Sequence, residues 1–230
     1  MIATTSAETA VLQSNAHAIA MSYAAAAPLD GLSGTVLRVA RNREIYSQGS
    51  SVDHFYKVVS GTVRTCKIMA DGRRQIGEFT LPGEFFGLDG VSEHRLSAEA
   101  VADAVIVRYP RHAAMMSPEH AAAIQAHVHA LTMASYERTQ DLVVLLGRKT
   151  AQERVASFLI ELAERSGSEA LIELPMSRYD IADHLGLTVE TVSRTFGQLK
   201  GEGAIALDSA QRVRIVDYDL LAELGSADAL

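Results

Sequence analysis

Residues 177–194 read Ser-Arg-Tyr-Asp-Ile-Ala-Asp-His-Leu-Gly-Leu-Thr-Val-Glu-Thr-Val-Ser-Arg, a pattern typical of two short helices joined by a tight turn. Ser177 and Asp180 have the spacing of a capping box, which begins a helix. Gly186 can adopt the left-handed backbone conformation that ends this helix, and Thr188 suits the N-cap of the next one. The stretch therefore predicts a helix-turn-helix, in which the first helix braces the second against the major groove of DNA.

The residues that follow distinguish this motif from the amphipathic helix pairs that are also common in all-α proteins. Residues 204–207 and 212–216 are largely apolar runs, and Asp208 begins a turn between them. A strand, a turn and a second strand at this distance from the helices are typical of a wing. The C-terminal part is therefore predicted to be a winged helix-turn-helix.

The polar face of the second helix carries side chains that can read base edges. Arg194 can donate two hydrogen bonds to guanine, and Glu190 can accept one from cytosine and orient Arg194 from one helical turn away. Ser193 can contact a base edge or a thymine methyl group. The alternative for Glu190 and Arg194 is a solvated salt bridge along the helix. The predicted phosphate contacts are Ser177, Arg178, Thr188, Thr191 and Arg212.

Residues 187–194 resemble the recognition helix of the CRP/FNR superfamily of bacterial transcription regulators, and they are most similar to its FNR and FixK branch. Gly61-Thr-Val-Arg64 and Leu81-Pro-Gly-Glu-Phe-Phe-Gly87 resemble the β-roll sensor domain of the same superfamily. The resemblance covers roughly residues 29–216. It implies an α+β chain with an N-terminal β-roll (a cyclic-nucleotide-binding-like jelly roll), a long dimerisation helix and a C-terminal winged helix-turn-helix.

The same resemblance implies a palindromic DNA target. In the FNR and FixK branch, a Glu, a Ser and an Arg at the spacing of Glu190, Ser193 and Arg194 read the half-site TTGA. The implied operator is similar to TTGA-N6-TCAA, and its two-fold symmetry requires a homodimer. RNA polymerase is a further implied partner, because regulators of this branch activate transcription, in this case of genes for low-oxygen respiration.

The chain is predicted to divide into four segments. Residues 1–28 are expected to form a flexible N-terminal arm, residues 29–117 the β-roll, residues 118–147 the dimerisation helix and residues 148–230 the DNA-binding domain. Short apolar runs separated by glycines favour strands in the second segment, and Asp71-Gly72 is a hairpin signal there.

The third segment has apolar side chains at alternating spacings of four and three residues, which is a heptad pattern. The predicted dimer contacts are Ile124, Val128, Leu131, Arg138, Leu142 and Leu145. Ser135 and Arg138 weaken the pattern in its middle. The alternative is a helix that packs against its own domain.

Composition limits the setting in which the chain works. No run of about 18 apolar residues is present, so no transmembrane helix is predicted, and residues 1–27 make a poor signal peptide. The single cysteine, Cys66, suits a reducing cytoplasm. The net charge of −7 is unusual for a DNA-binding protein, and it indicates that tight binding depends on dimerisation.

No cofactor is expected. One cysteine cannot supply the four thiolates of an iron–sulfur cluster. Relative to the cyclic AMP sites that the chain resembles, Gly87-Leu88 replaces Gly-Glu, and Arg95 is displaced by one residue from the phosphate-binding position. The sequence contains no recognisable nucleophile–base pair and no metal-ligand spacing, so it does not predict an enzyme. Two hypotheses remain: a FixK-like regulator that needs no effector, and a regulator gated by a small molecule in the β-roll.

Overall fold

The computed structural model describes residues 33–89, 92–111, 121–168 and 170–226, except for the side chains of 121, 123 and 124. The predicted arm at residues 1–28 lies outside this part of the chain. The strands of the N-terminal half are β1 Thr35–Val39, β2 Glu44–Tyr46, β3 His54–Ser60, β4 Val63–Ile68, β5 Arg74–Thr80, β6 Phe85–Phe86, β7 Ser97–Ala100 and β8 Ala104–Pro110. The remaining elements are α1 Ala121–Arg148, α2 Ala151–Ser166, β9 Leu171–Glu173, α3 Arg178–Leu185, α4 Val189–Gly201, β10 Ile205–Leu207, β11 Arg212–Ile215 and α5 Tyr218–Gly225.

The N-terminal half is the β-roll that the sequence predicts. Its strands form two antiparallel sheets, in the orders β1-β8-β3-β6 and β2-β7-β4-β5. Val58, Val63 and Ile106 are fully buried in one of its apolar clusters. Gly72 has a φ of +84° in the turn between β4 and β5, where the hairpin was expected.

The long helix α1 connects the two halves of the chain. Toward its start, Val128 and Leu131 pack against an aromatic cluster of the β-roll that includes Phe55 and Tyr109. Toward its end, Leu145 is part of an apolar cluster that the C-terminal domain shares with β4 and β5 of the β-roll, and Leu142 packs against that cluster. One face of α1 is therefore occupied by its own chain along most of its length.

The C-terminal half is a winged helix-turn-helix. Thr150 and Glu153 form a capping box that begins α2 immediately after α1. Strands β10, β11 and β9 form a three-stranded antiparallel sheet, so the predicted wing gains β9 as a third strand. The helix α5, which the sequence did not predict, packs against α2. Within the described part of the chain, no helix combines the length and the apolar character needed to cross a membrane.

Candidate nucleic-acid interface

The two helices of the helix-turn-helix begin and end where the sequence predicts. The backbone N–H of Asp180 donates to the Ser177 hydroxyl at 3.1 Å, and the Ser177 N–H donates back to the Asp180 carboxylate at 3.1 Å. Gly186 ends α3 with a φ of +62°. The Thr188 hydroxyl accepts from the Thr191 N–H at 3.2 Å at the start of α4. These local bonds fix the turn, so α4 leaves it in a defined direction.

The buried face of α4 determines which of its side chains face outward. Val192 and Phe196 are buried in the core of the C-terminal domain, and Leu199 continues the same face. The three predicted base-contact residues therefore lie together on the exposed face, in the first two turns: Glu190, Ser193 and Arg194. Among the ion pairs of the described residues there is none between Glu190 and Arg194, so both side chains are available to a ligand.

Arg178, a predicted phosphate contact, is less exposed than the sequence suggested. Its guanidinium carbon lies 3.6 Å from the centroid of the Phe196 ring, so the cation stacks on α4. Burial lowers the pKa of Arg178. Its Nη1 atom is buried and has no hydrogen-bond partner within the described residues. Phe196 therefore holds Arg178 in one place between the two helices.

The wing presents two arginines that are paired only loosely. Arg212 lies 3.1 Å from the Glu173 carboxylate, and Arg214 lies 3.1 Å from the Asp208 carboxylate. The side chains of Arg212 and Glu173 are 59% and 69% exposed. Exposed ion pairs contribute little stability. Replacing the Glu173 carboxylate by a phosphate as the partner of Arg212 would therefore cost little free energy.

Arg154 joins the helix-turn-helix to the long helix, a role that no local sequence pattern indicates. Its three guanidinium nitrogens donate to the carbonyls of Leu146, Lys149 and Leu185 at 2.8–2.9 Å. Leu146 lies in the last turn of α1 and Leu185 ends α3. One side chain thus satisfies unpaired carbonyls at the ends of two helices and fixes their relative position.

The residues predicted to contact a second copy lie mainly on the face of α1 that packs on its own chain. Val128, Leu131, Leu142 and Leu145 have the intramolecular contacts described above, and Arg138 donates to Glu78 of β5 at 2.6 Å. The side chain of Ile124 lies outside the described part of the structure. A dimer contact at these six positions stays a prediction.

A cavity of about 400 Å³ separates the inner surface of the β-roll from α1. Its acidic lining residues are Glu78 and Asp89, and none of the described residues that line it is a lysine or an arginine. Tyr46 also lines it, and burial raises the pKa of the Tyr46 hydroxyl above its usual value. An anionic ligand would therefore find no lysine or arginine side chain among the described residues that line this cavity.

Comparisons with known proteins agree with this geometry. Residues 36–115 match the cyclic nucleotide-binding domain family, and residues 153–224 match the Crp-like helix-turn-helix domain family. The nitrogen fixation regulation protein FixK of Azorhizobium caulinodans is 48% identical over 202 residues, which cover 84% of this chain and 80% of that protein. FixK of Rhizobium meliloti is 37% identical over 215 residues, which cover 94% of this chain and 98% of that protein.

The structure of FixK2 from Bradyrhizobium japonicum matches with a TM-score of 0.82 at 39% identity, and the match covers 86% of this chain and all of that one. The chain belongs to the CRP/FNR family, in its FixK-like branch. This FixK-like chain is accordingly a transcription regulator with a DNA-binding helix-turn-helix domain, and it is not an enzyme. The helix that carries Glu190, Ser193 and Arg194 lies within the matched domain.

Proposed function

We propose that this FixK-like regulator binds, as a homodimer, to palindromes similar to TTGA-N6-TCAA and activates transcription through contact with RNA polymerase. Its site of action is the cytoplasm, and its target genes serve respiration at low oxygen. It needs neither an iron–sulfur cluster nor cyclic AMP. The observation that carries this proposal is the exposed cluster of Glu190, Ser193 and Arg194 in the first two turns of α4.

The chemistry of these three side chains fits the half-site TTGA. The Arg194 guanidinium suits the O6 and N7 atoms of the guanine, and the Glu190 carboxylate suits the amino group of the cytosine paired with it. Ser193 lies one residue before Arg194 and suits the thymine side of the half-site. Because no ion pair joins Glu190 to Arg194, binding DNA does not require such a pair to be broken first.

The phosphate contacts surround this cluster. The N-terminus of α4 at Thr188 attracts a phosphate through its helix dipole, and Thr191 lies one turn further on. Arg178 adds a cation that the Phe196 ring holds in place. Arg212 contributes from the wing.

Three observations support activity without an effector. Cys66 is the single cysteine of the chain, and burial raises the pKa of its thiol to about 11, which keeps it protonated and unreactive at neutral pH. The cavity beside α1 has acidic residues and no cation among its described lining residues. The ion pair between Glu78 and Arg138 already links the β-roll to α1 at the edge of this cavity.

A second copy of the chain is proposed to cover the outer face of α1. Met133, Tyr136, Val143 and Val144 are 42%, 56%, 66% and 57% exposed there. Positions 133, 136, 140 and 143 alternate spacings of three and four residues, which is the pattern of a helix–helix seam. The opposite face of α1 packs on its own chain, so this seam is the apolar surface that remains for a partner helix.

An anisotropy titration of the purified, ligand-free protein tests the proposal. The probes are a TTGA-N6-TCAA duplex and the same duplex with its two G·C pairs exchanged. Each wrong base pair typically costs about 1–3 kcal/mol, so two exchanged pairs are expected to weaken binding by 30-fold or more, as an order-of-magnitude expectation. Equal affinity for the two duplexes would contradict the assigned half-site.

The cavity favours one alternative, in which a small molecule gates the regulator. Its volume of about 400 Å³ is in the usual range for ligand pockets. A gated regulator would bind both duplexes weakly until a neutral or cationic compound raised its melting temperature and its affinity for the palindrome together.

A further inference from the structure

The bracing helix α3 is held by two arginines of the β-roll. Arg64 of β4 lies 2.9 Å from Asp180, and Arg74 of β5 lies 2.6 Å from the same carboxylate oxygen. Arg74 also lies 2.8 Å from Asp183, one turn further along α3. Two cations from the sensor-like domain therefore converge on the first helix of the DNA-binding domain.

This cluster is largely removed from water. The side chains of Arg64 and Asp180 are each 8% exposed, and Arg64 lies 2.6 Å from a second carboxylate, that of Glu99. Burial raises the pKa of Asp180, but the hydrogen bonds from Ser177 and the charges of Arg64 and Arg74 outweigh it and hold the pKa below its usual value. Removing Arg74 would leave Asp180 with Arg64 as its one remaining cation and Asp183 without its ion-pair partner, which is unfavourable. The contact thus favours one arrangement of the two domains.

Neutral contacts extend the cluster along the same two elements. The Gln75 amide donates to the His184 carbonyl at 3.1 Å, and His184 Nδ1 lies 3.2 Å from the Ile76 carbonyl. The His184 ring packs against Phe79 of β5 and Phe158 of α2. Three residues within about one turn of α3 therefore contact β5: Asp180, Asp183 and His184.

The same contacts leave the DNA-reading surface open. They involve α3 and not the outer face of α4, where Glu190, Ser193 and Arg194 remain exposed. The arrangement that the arginines hold therefore does not cover the recognition surface of α4. A dimer that reads two half-sites must keep its two recognition helices about one helical turn of DNA apart, about 34 Å, so the angle between each DNA-binding domain and its β-roll matters for affinity.

We infer that Arg64 and Arg74 are positioning residues for DNA recognition: by binding Asp180 and Asp183, they fix the orientation of the helix-turn-helix so that both halves of a palindrome can be read without an effector. This inference rests on the proposed function. The arginines do not touch DNA. They act through α3 on the direction of α4.

The dependence of affinity on the spacer length of the palindrome tests this inference. If the two arginines had a purely structural role, their replacement would not change that dependence. One base pair added to or removed from the spacer moves a half-site by about 3.4 Å and turns it by roughly a tenth of a turn. Anisotropy titrations of the full-length protein would use duplexes with N5, N6 and N7 spacers and a duplex with a single half-site. The wild-type protein is expected to prefer N6 by about tenfold or more.

Arg74→Met is expected to lower that preference to about threefold or less, while affinity for the single half-site changes by less than about twofold. Arg74→Lys keeps a cation beside Asp180 and is expected to restore most of the preference. Arg73→Met is the matched control, since Arg73 is the neighbouring residue, is 78% exposed and pairs only with Asp71 in its own hairpin among the described residues. Wild-type spacer preference in Arg74→Met would overturn the inference.

Two further measurements separate this inference from the proposed function and from a folding defect. If Arg74→Met does not fold, Asp183→Asn removes only the outer acceptor, and it is still expected to weaken the spacer preference; an unchanged preference would overturn the inference. If the wild-type protein does not recognise the palindrome, the proposed function is wrong. Hydrogen exchange in α3 then decides whether the arginines hold the domain: faster exchange in Arg74→Met than in Arg73→Met supports that role, and equal exchange overturns it.

Discussion

The Arg138 guanidinium lies 2.6 Å from the carboxylate of Glu78, which joins the middle of α1 to strand β5 of the same chain. Both side chains are mostly buried, at 26% and 20% exposure. Ser135, one turn earlier on α1, lies 3.5 Å from the same carboxylate group. The long helix is therefore attached to the β-roll by a charged contact at the edge of the cavity.

Arg138→Met is expected to lower the free energy of unfolding by about 1–3 kcal/mol, because it leaves the mostly buried Glu78 carboxylate without its cation. Chemical denaturation followed by circular dichroism measures this change. Arg148→Met serves as the control, since Arg148 is exposed at the end of the same helix. Equal stabilities of the two variants would mean that the ion pair with Glu78 adds nothing to the attachment of α1.

Arg194→Ala and Glu190→Ala are each expected to weaken binding to the TTGA-N6-TCAA duplex by about 10–100-fold, because each removes a contact to a base edge. Binding to the duplex with exchanged G·C pairs should change far less. Gln198→Ala is the control on the same helix, since Gln198 is exposed but lies beyond the first two turns. Anisotropy at fixed salt measures all three variants. A variant at position 190 or 194 with full affinity and full discrimination would contradict the assigned site.

Arg212→Ala is expected to weaken binding to both duplexes alike, because a phosphate contact carries no sequence information. The slope of log K against log salt should decrease by about 1 for each phosphate contact that is lost. Arg73→Ala, on the β4–β5 hairpin, removes the same charge from a residue that belongs neither to the helix-turn-helix nor to the wing, and should leave the slope unchanged. If Arg212→Ala has the wild-type slope, Arg212 stays paired with Glu173 when DNA binds.

The features that could be predicted from the sequence are those that neighbouring residues decide. The capping box of Ser177 and Asp180 and the left-handed Gly186 depend on atoms a few positions away, so the helix-turn-helix was visible in the chain. Asp180 also binds Arg64, which is 116 residues away. No local pattern distinguishes a capping aspartate from one that also holds a distant domain.

The long helix illustrates a different limit. An apolar repeat on α1 indicates that a face is buried, but it does not indicate which surface buries it. Leu131 and Leu145 both fit the heptad pattern expected of dimer contacts. In the structure, Leu131 packs against the β-roll and Leu145 against the DNA-binding domain of the same chain. The exposed Tyr136 and Val143 belong to a second apolar stripe on α1. The sequence does not indicate which of the two stripes packs on its own chain and which stays exposed. The shortest strands of the β-roll, β2 and β6, have too few residues for an alternating pattern to be recognised.

Val143→Glu is expected to convert the protein to a monomer at micromolar concentration, because it places a charge in the proposed seam on α1 at its most exposed apolar residue. Light scattering coupled to gel filtration measures the mass. Ile68→Glu makes the same chemical change on the β4–β5 hairpin, where Ile68 is 65% exposed, and should leave the mass of a dimer unchanged. A dimeric Val143→Glu protein would place the interface elsewhere.

The buried His184 makes stability depend on pH between about 6.5 and 4. Burial lowers its pKa to about 4, and the charge of Arg165 acts in the same direction. In the unfolded chain the imidazole takes up its proton near pH 6.5. As the pH falls below 6.5, the unfolded state therefore binds a proton that the folded state excludes, so the stabilising effect of the neutral ring is complete above that pH and is lost toward pH 4.

The His184→Gln variant tests this dependence, because glutamine does not titrate. Its free energy of unfolding should fall less steeply than that of the wild-type protein between pH 6.5 and 4.5, with a difference in slope that amounts to at most about 3 kcal/mol over the full interval. His127→Gln replaces an exposed histidine of α1 and should follow the wild-type curve. Parallel curves for wild-type and His184→Gln proteins would mean that α3 leaves β5 and hydrates the ring before the chain unfolds. Urea titrations followed by circular dichroism at each pH measure both curves and distinguish the two outcomes.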